Sequence, residues 1–374
     1  MPRSLTTRVV ASVVVVLVAA LLPGSASAAA TPPVNDEPPA VTGDPVYRGP
    51  LVAYRGTWTA DSDLRFDFQW TRGGTPIDGA TAKRYRPRLA DIGRRLRVEV
   101  TATDEVGDST TATSSPVEVR RARFAAAERP SLTGTRRYTH VLEADPGTWS
   151  PRPGTVTYRW FRDGTRIRGA KQRRYRLGAA DVGHHVRVVV TARKEGYRRD
   201  RASSRRTREI MHRVALRRTA TYRIETRGTI TASLKVFRRQ VAETFADPRG
   251  WRSAGVGFRR VARGGDFSVV LAEASRVPSF SPVCSAQWSC RVGRYVIINQ
   301  LRWRNASPSW NQAHKSLRTY RHMVVNHETG HWLGHGHLGC GGAGRLAPVL
   351  MQQSKGLDGC RHNPWPLASE LWYR

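Results

Sequence analysis

Residues 327–337 read HETGHWLGHGH and combine four histidines with one glutamate. If the segment begins as a helix, His327 and His331 lie at i and i+4 on one face, about 6 Å apart, and both imidazoles can reach one ion. Glu328 lies beside that face, where its carboxylate can take a proton from a water molecule instead of binding the metal. The spacing therefore predicts a zinc site at the end of a helix.

The residues after the helix offer three candidates for a third ligand. Gly334 permits a sharp turn, after which His337 can return toward the first two histidines. His335 would serve if the helix continued past Gly334, and Cys340 would serve as a thiolate. We expect His337, because Gly334 and Gly336 allow the required turn. Three protein ligands leave the open position of a catalytic zinc site, and the alternative is a histidine-rich helix end without metal.

Around this motif, residues 207–374 predict a mixed α/β domain. Apolar residues at helical spacing predict helices over residues 231–246 and 316–333. Short apolar runs predict strands at residues 256–261, 267–272 and 295–300. Helices that alternate with strands are typical of a sheet covered by helices.

The motif resembles the signature of the metzincin clan of zinc metallopeptidases, H-E-x-x-H-x-x-G-x-x-H followed by a methionine turn. Every fixed position is matched, and residues 347–351 are the candidate turn, with Met351 as an apolar floor under the ligands. No Tyr follows Met351 closely, so the resemblance does not extend to the tyrosine ligand of some metzincins. The string is also similar to that of the small secreted snapalysin-type peptidases of Gram-positive bacteria, which have Asp where this chain has His337.

A wider stretch, residues 222–360, is similar to an uncharacterised family of secreted metzincin-like domains from high-GC Gram-positive bacteria. The similarity includes residues 247–251, DPRGW, and the pair Arg302 and Trp303. These resemblances imply a metallopeptidase fold for the last domain.

The motif and the resemblance together predict a secreted zinc-dependent endopeptidase acting on a peptide or protein. One zinc ion, held by His327, His331 and His337, would lower the pKa of its water and polarise the peptide carbonyl. Glu328 would act as the general base and would then pass the proton to the leaving amine.

Four cysteines allow three pairings. Cys284 and Cys290 are close in sequence and favour a closed loop, while Cys340 and Cys360 bracket Met351. We expect these two disulfides, the second of which would tie the third-ligand loop to the far side of the methionine turn. The alternative is that Cys340 is free, inhibitory or bound to the metal.

An internal repeat with an offset of 90 residues precedes this domain. Matching positions are Trp70 and Trp160, Tyr85 and Tyr175, and Gly93 and Gly183. Alternating apolar residues and frequent turn residues predict a β-sandwich of immunoglobulin type in each copy, over residues 43–120 and 121–206, the second including a basic linker. Residues 43–204 resemble the tandem Ig-like modules of bacterial secreted proteins, and they lack the inter-sheet cysteine pair of antibody domains.

The first residues predict export. An apolar run over residues 9–22 follows two arginines and precedes the small residues 25–28, the order of a signal peptide spanning residues 1–28. An uncleaved membrane anchor is the alternative. Residues 29–42 are rich in proline and predict a linker without a core, and no later stretch predicts a transmembrane helix. The mature protein is expected to be extracellular or associated with the cell wall.

The composition suggests a second function. Lys and Arg total 62 against 29 Asp and Glu, a net charge of +33 that attracts polyanions. The predicted export argues against nucleic acid as the partner and favours an anionic cell-envelope polymer. The alternative function is therefore an envelope-binding protein of Ig-like modules with a structural or inactive zinc domain. Glu328 favours the peptidase, because a structural zinc site has no need of that carboxylate.

Overall fold

The computed structural model describes residues 31–126 and 128–373 and divides the chain into two compact units, Met1–Ala122 and Arg123–Arg374. The predicted signal peptide, residues 1–28, lies outside the described residues. No helix in the described ranges is both long enough and apolar enough to cross a membrane.

The first unit contains one β-sandwich. Its strands are β1 Val34–Glu37, β2 Ala40–Gly43, β3 Leu51–Tyr54, β4 Thr57–Thr59, β5 Arg65–Arg72, β6 Thr75–Pro76, β7 Arg84–Tyr85, β8 Arg95–Thr103, β9 Ser109–Thr113 and β10 Val117–Glu118. One sheet has the order β2-β3-β7, a second has the order β10-β8-β5-β6 with β9 also on β8, and β1 pairs with β4. Leu51 of the first sheet and Trp70 and Val98 of the second are fully buried in one core. The predicted alternation is confirmed in β8, where buried side chains alternate with exposed or partly buried ones.

The second unit begins with the second copy of this sandwich. Its strands are β11 Ala125–Ala126, β12 Ser131–Thr133, β13 Val141–Asp145, β14 Trp149–Ser150, β15 Thr155–Arg162, β16 Thr165–Arg166, β17 Arg174–Arg176, β18 Val186–Arg193 and β19 Asp200–Ser203. The sheets β12-β13-β17 and β16-β15-β18-β19 repeat the pairing of the first copy. Trp70 and Trp160 are both fully buried, and each indole donates to a backbone carbonyl at 2.9 Å, that of Ala82 or Gln172.

Each sandwich also buries one aspartate beneath a tyrosine and an arginine. The contacts are Tyr85 Oη to Asp91 at 2.8 Å, Arg72 Nε to Asp91 at 2.6 Å, Tyr175 Oη to Asp181 at 2.8 Å and Arg162 Nε to Asp181 at 2.7 Å. Charge-assisted hydrogen bonds of this kind offset the cost of removing a carboxylate from water. The network explains why these positions recur in both copies.

The boundaries of the two sandwiches differ from the predicted ones. Part of the predicted linker, residues 29–42, forms β1 and β2, because residues 34–37 pair with β4 and residues 40–43 pair with β3. Its central prolines, Pro38 and Pro39, lie between these strands, where no ladder amide is needed. The second sandwich extends past residue 206, since Ile210 is fully buried in its core.

The rest of the second unit is a mixed sheet covered by helices. Its elements are β20 Arg218–Arg227, α1 Leu234–Ala246, β21 Val256–Arg260, β22 Phe267–Ala272, β23 Cys290–Val292, β24 Tyr295–Asn299, α2 Gln300–Asn305, α3 Pro308–Gln312 and α4 Leu317–Trp332. The sheet order is β21-β20-β22-β24-β23, and β23 alone among these described strands runs antiparallel to its neighbour. Phe237 of α1 and Val325 of α4 pack with Val269 and Ile298 of the sheet. The predicted helices and strands are thus confirmed to within three residues at each end.

Short 3-10 turns complete the described elements, at Leu89–Asp91, Ala179–Asp181, Trp251–Ala254, Ala274–Arg276, Pro278–Phe280 and Ala368–Glu370.

Candidate metal centre

The end of α4 turns the chain back over the helix. Gly334 has a φ of 101°, and its amide donates to the carbonyl of His331 at 3.2 Å. The amide of His335 donates to the carbonyl of Gly330 at 3.0 Å, which completes the paired hydrogen bonds of a Schellman motif. A side chain at position 334 would strain this left-handed backbone. The turn allows His337 to approach the face of α4 that carries the first two histidines.

Three imidazole nitrogens converge at this turn. The Nε2 atom of His331 lies 3.1 Å from Nε2 of His327 and 3.1 Å from Nε2 of His337. The ligand atoms of the three residues all lie within 4.8 Å of one another. Tetrahedral zinc with Zn–N bonds of about 2.0–2.1 Å separates its nitrogen ligands by about 3.3 Å. The observed spacing therefore fits one zinc ion.

The opposite nitrogens of two of these rings contact backbone carbonyls. Nδ1 of His327 lies 2.8 Å from the carbonyl oxygen of Val349, and Nδ1 of His331 lies 2.8 Å from that of His335. A proton on each Nδ1 leaves each Nε2 with a bare lone pair. Burial lowers the pKa of all three histidines, that of His327 to about 3, which keeps them neutral. Lone pairs 3.1 Å apart repel each other, and a cation between them removes that repulsion, so the donor set fits a metal.

Glu328 follows His327 on α4 and lines the same cleft. Its side chain is buried, and this burial raises its pKa to about 8, while the positive charge of Arg291 acts in the opposite direction. A dication bound beside it would favour the charged carboxylate further. The predicted general base is therefore adjacent to the histidine cluster and faces the cleft.

The other two candidates for the third ligand are occupied elsewhere. The ring of His335 packs on Trp251 and Trp372, and its Nε2 lies 2.8 Å from the carbonyl oxygen of Trp372. Cys340 forms a disulfide with Cys360. Among the described residues, the structure brings together the predicted histidines and neither alternative.

Both predicted disulfides are confirmed, Cys284 with Cys290 and Cys340 with Cys360. Cystines persist in oxidising compartments, which agrees with the predicted export. The first disulfide lies at the wall of the cleft, and the second joins the segment after His337 to the segment after Met351.

Met351 is buried in a small cluster with Ala347 and the Cys340–Cys360 disulfide. The methionine-turn segment contacts the histidine cluster through the carbonyl oxygen of Val349, which lies within hydrogen-bond distance of Nδ1 of His327. The position of the Met351 side chain under the ligands stays a prediction.

An open cleft of about 670 Å³ leads to the histidines. The floor is formed by α4, one wall by the segment from Val283 to Arg291, and the other wall by residues 352–355 after the methionine turn. The cleft is large enough to hold several atoms of a peptide beside the metal cluster.

Two residues at this site carried no sequence signal. Glu370 is fully buried, and its carboxylate accepts hydrogen bonds from the amides of Val349 at 3.0 Å, Leu350 at 2.9 Å and Leu367 at 2.7 Å. It thereby positions the carbonyl that orients His327. Arg291, on β23, donates from Nη2 to the carbonyl of His331 at 2.7 Å. Only its place directly after Cys290 could have drawn attention to it.

Comparisons with known proteins assign no activity. Residues 198–364 match a family described as "Protein of unknown function (DUF3152)", and this span includes the histidine cluster, Glu328 and both disulfides. The match covers less than half of the chain. No curated protein matches the sequence.

Among solved structures, similarity is found to domains of immunoglobulin and fibronectin type. Three N-terminal domains of the Highly Immunogenic Outer Capsid protein of bacteriophage RB49 align at 15% identity and a TM-score of 0.21, over 50% of this chain and 65% of that one. The amphioxus IgVJ-C2 molecule aligns at 14% identity and a TM-score of 0.22, over 48% of this chain and 98% of that one. Fibronectin(III)-like modules of Clostridium thermocellum CbhA align at 15% identity and a TM-score of 0.15, over 44% of this chain and 92% of that one. The fold described above rests on the strand pairing of the chain itself and not on these low scores.

Proposed function

We propose that this protein is a secreted zinc-dependent endopeptidase, in which two Ig-like modules precede a metzincin-like α/β domain. The observation that carries the proposal is the convergence of three Nε2 atoms, from His327, His331 and His337, at the floor of an open cleft. Glu328 lies beside them in the arrangement that the H-E-x-x-H spacing requires.

The residues of the site divide the work of peptide hydrolysis. When bound, zinc would supply a Lewis acid that activates water and polarises the substrate carbonyl. Glu328 takes the proton of the attacking water and transfers it to the leaving amine. The carbonyls of Val349 and His335 hold the rings of His327 and His331 so that Nε2 faces the metal position.

The number of ligands favours catalysis over a structural role. Structural zinc sites are closed by four protein ligands, whereas this cluster supplies three histidines and faces a cleft. The net charge of +33 still supports a role for the rest of the chain. We propose that the Ig-like modules bind an anionic envelope polymer or act as spacers, with binding that is sensitive to salt and independent of zinc.

The proposal is tested by comparing wild-type protein with Glu328→Gln on unstructured proteins and quenched peptide libraries. We expect cleavage by the zinc-loaded wild type, and a rate about 10²–10⁴-fold lower for the variant, because only the general base is lost. Zinc content and circular dichroism of both proteins serve as controls. Cleavage by Glu328→Gln at the wild-type rate would contradict the mechanism, and an inactive, fully zinc-loaded wild type would favour the envelope-binding function.

A further inference from the structure

The cleft has an excess of positive charge. Arg291 lies in one wall and Lys355 in the other, and among the residues that line the cleft Glu328 is the sole carboxylate. A bound metal dication would increase this excess. Because like charges in a partly buried site repel one another, an anionic group in the cleft would be stabilised there.

Arg291 has an unused hydrogen-bond donor. One of its terminal nitrogens donates to the carbonyl of His331 at 2.7 Å, which fixes the guanidinium beside the metal cluster. Its Nε atom is buried and has no hydrogen-bond partner among the described residues. A buried N–H without an acceptor is costly, so the hydrogen-bonding capacity of this guanidinium is incompletely used within the described chain.

The backbone of Arg291 keeps this donor in place. The residue is the central member of the edge strand β23, where it lies opposite Val296 of β24. Cys290, its neighbour, is tied to Cys284 by a disulfide. The side chain of Arg291 is therefore held at its base by the strand and at its tip by the carbonyl of His331.

Lys355 provides the second cation, and its surroundings differ from those of Arg291. The side chain is exposed, and the structure shows no ion pair between its ammonium group and any described residue. Lys355 lines the same cleft as the three histidines. An anion in the cleft would thus interact with both cations.

We propose that the cleft selects peptides that carry a carboxylate next to the bond at the metal cluster, with Arg291 and Lys355 as the specificity-determining residues. This inference rests on the proposed peptidase function and names its substrate class. The carboxylate is the side chain of an acidic residue, which fits cleavage within a chain, or the free C-terminus of the peptide, which would make the enzyme a carboxypeptidase instead of an endopeptidase. Arg291 suits either source, because a guanidinium pairs with carboxylates through directed, charge-assisted hydrogen bonds.

The test measures peptide binding in the absence of cleavage. Full-length, zinc-loaded Glu328→Gln protein is titrated calorimetrically with four peptides of neutral sequence, which contain Glu or Gln at one position and end in a free or an amidated C-terminus. We expect at least one carboxylate-bearing peptide to bind about tenfold more tightly than the amidated Gln peptide. The Glu and Gln pair reports on a side-chain carboxylate, and the free and amidated pair reports on the terminus.

Three further substitutions in the same Glu328→Gln background assign the preference to residues. Arg291→Gln and Lys355→Gln should each reduce it, whereas Lys235→Gln removes an exposed cation outside the cleft and should leave it unchanged. Zinc content is measured for each protein, because Arg291 also contacts a carbonyl of the metal-binding helix. If Arg291→Gln loses zinc, the effect of Lys355→Gln alone decides whether the cleft cations cause the preference.

The outcomes separate this inference from the proposed function. Equal binding of charged and neutral peptides, or no binding of any peptide, would overturn the inference. A preference that is unchanged in both cleft variants would also overturn it. If the preference is found but the wild type cleaves no peptide, the inference stands and the peptidase proposal fails. If the wild type cleaves neutral and acidic peptides equally well, the peptidase proposal stands and the inference fails.

Discussion

At the scale of single residues, the orientation of two of the histidine rings depends on groups that are not themselves candidate ligands. The rings of His327 and His331 are oriented by two backbone carbonyls, and Glu370 holds the segment that supplies one of them. Partners of this kind fix the tautomer of a ligating histidine and raise its basicity. The motif alone therefore predicts which residues would bind a metal, but not how their rings are oriented.

A buried histidine outside the metal cluster makes stability dependent on pH. His322 is buried on α4, and its Nδ1 lies 2.8 Å from the hydroxyl of Thr244. Burial lowers its pKa from the ordinary value of 6.5, with smaller effects from neighbouring charges of both signs, those of Arg318, Asp247, Arg249 and Glu243. A folded-state pKa below the unfolded value means that the unfolded chain binds the proton first as the pH falls. The stabilisation is full above about pH 6.5 and is lost below it.

We therefore expect the free energy of unfolding of the metal-free protein to fall between pH 7.5 and pH 5, and to fall less steeply in His322→Gln. Denaturant titrations at several pH values measure both slopes. His140→Gln, which removes an exposed histidine, should reproduce the wild-type slope. Identical slopes in all three proteins would show that His322 titrates equally in both states.

The sequence predicted that His327, His331 and His337 come together, and it named His335 and Cys340 as rivals for the third position. His335 does not join the histidine cluster, because its Nε2 atom contacts the carbonyl oxygen of Trp372. Cys340 does not join it either, because its sulfur forms a disulfide. Trp372 lies far from the motif along the chain, and no local pattern predicts that it packs on His335. Arg291 and Glu370 were missed for the same reason, since their roles arise from contacts between distant segments.

At the scale of elements, α4 and the methionine-turn segment pack without space for an added side chain. A Cβ atom on Gly330 would lie 2.6 Å from Trp251 and 2.9 Å from Leu350. Trp251 cannot retreat easily, because its indole donates to the carbonyl of Asn326 at 3.0 Å. Gly330 therefore permits the close approach that places Val349 against His327.

We expect Gly330→Ala to destabilise the protein by about 1 kcal/mol, because overpacking costs about 1–3 kcal/mol and the gain in helix propensity returns at most about 1. Zinc affinity should fall as well. Denaturant unfolding and competition with a zinc chelator measure the two effects. Gly336→Ala is the matched control, since a Cβ atom there meets nothing within 4 Å. Equal stability and zinc affinity in the two variants would contradict the packing argument.

The Cys340–Cys360 disulfide joins the loop that carries the third ligand to the segment after the methionine turn. Replacing both cysteines by serine should cost about 3 kcal/mol through the restored freedom of the unfolded loop and should weaken zinc binding. The Cys284 and Cys290 pair closes a shorter loop, and its double serine variant should lose about 2 kcal/mol and retain zinc. Thermal unfolding and zinc content distinguish the two variants. If both variants retain zinc, the Cys340–Cys360 disulfide does not support the metal site and the prediction is wrong.

The sequence predicted elements well wherever the apolar period was strong, as in α1, α4 and β8. It missed β20, where arginines and threonines interrupt the pattern, and β23, which has three partly buried residues. It also treated residues 34–37 and 40–42 as linker, because short exposed strands next to proline lack an apolar period. These strands are stabilised by pairing with distant partners, which local patterns do not encode.

At the scale of the whole molecule, the chain joins repeated β-sandwiches to a domain of different architecture. The sandwiches contain no cluster of metal-binding side chains among their described residues, whereas the last domain contains one with a cleft beside it. The proposed chemistry therefore belongs to the last domain, and the proposed envelope binding or spacing belongs to the sandwiches. The net charge of +33 belongs to the chain as a whole and predicts attraction to anionic surfaces.

The central claim is that His327, His331 and His337 hold zinc, and the most direct measurement is the zinc content of the purified, disulfide-bonded protein. We predict about one zinc per chain for the wild type and for the control His140→Ala, and none for His331→Ala. The absence of zinc from the wild type after reconstitution, or retention of zinc by His331→Ala, would contradict the claim.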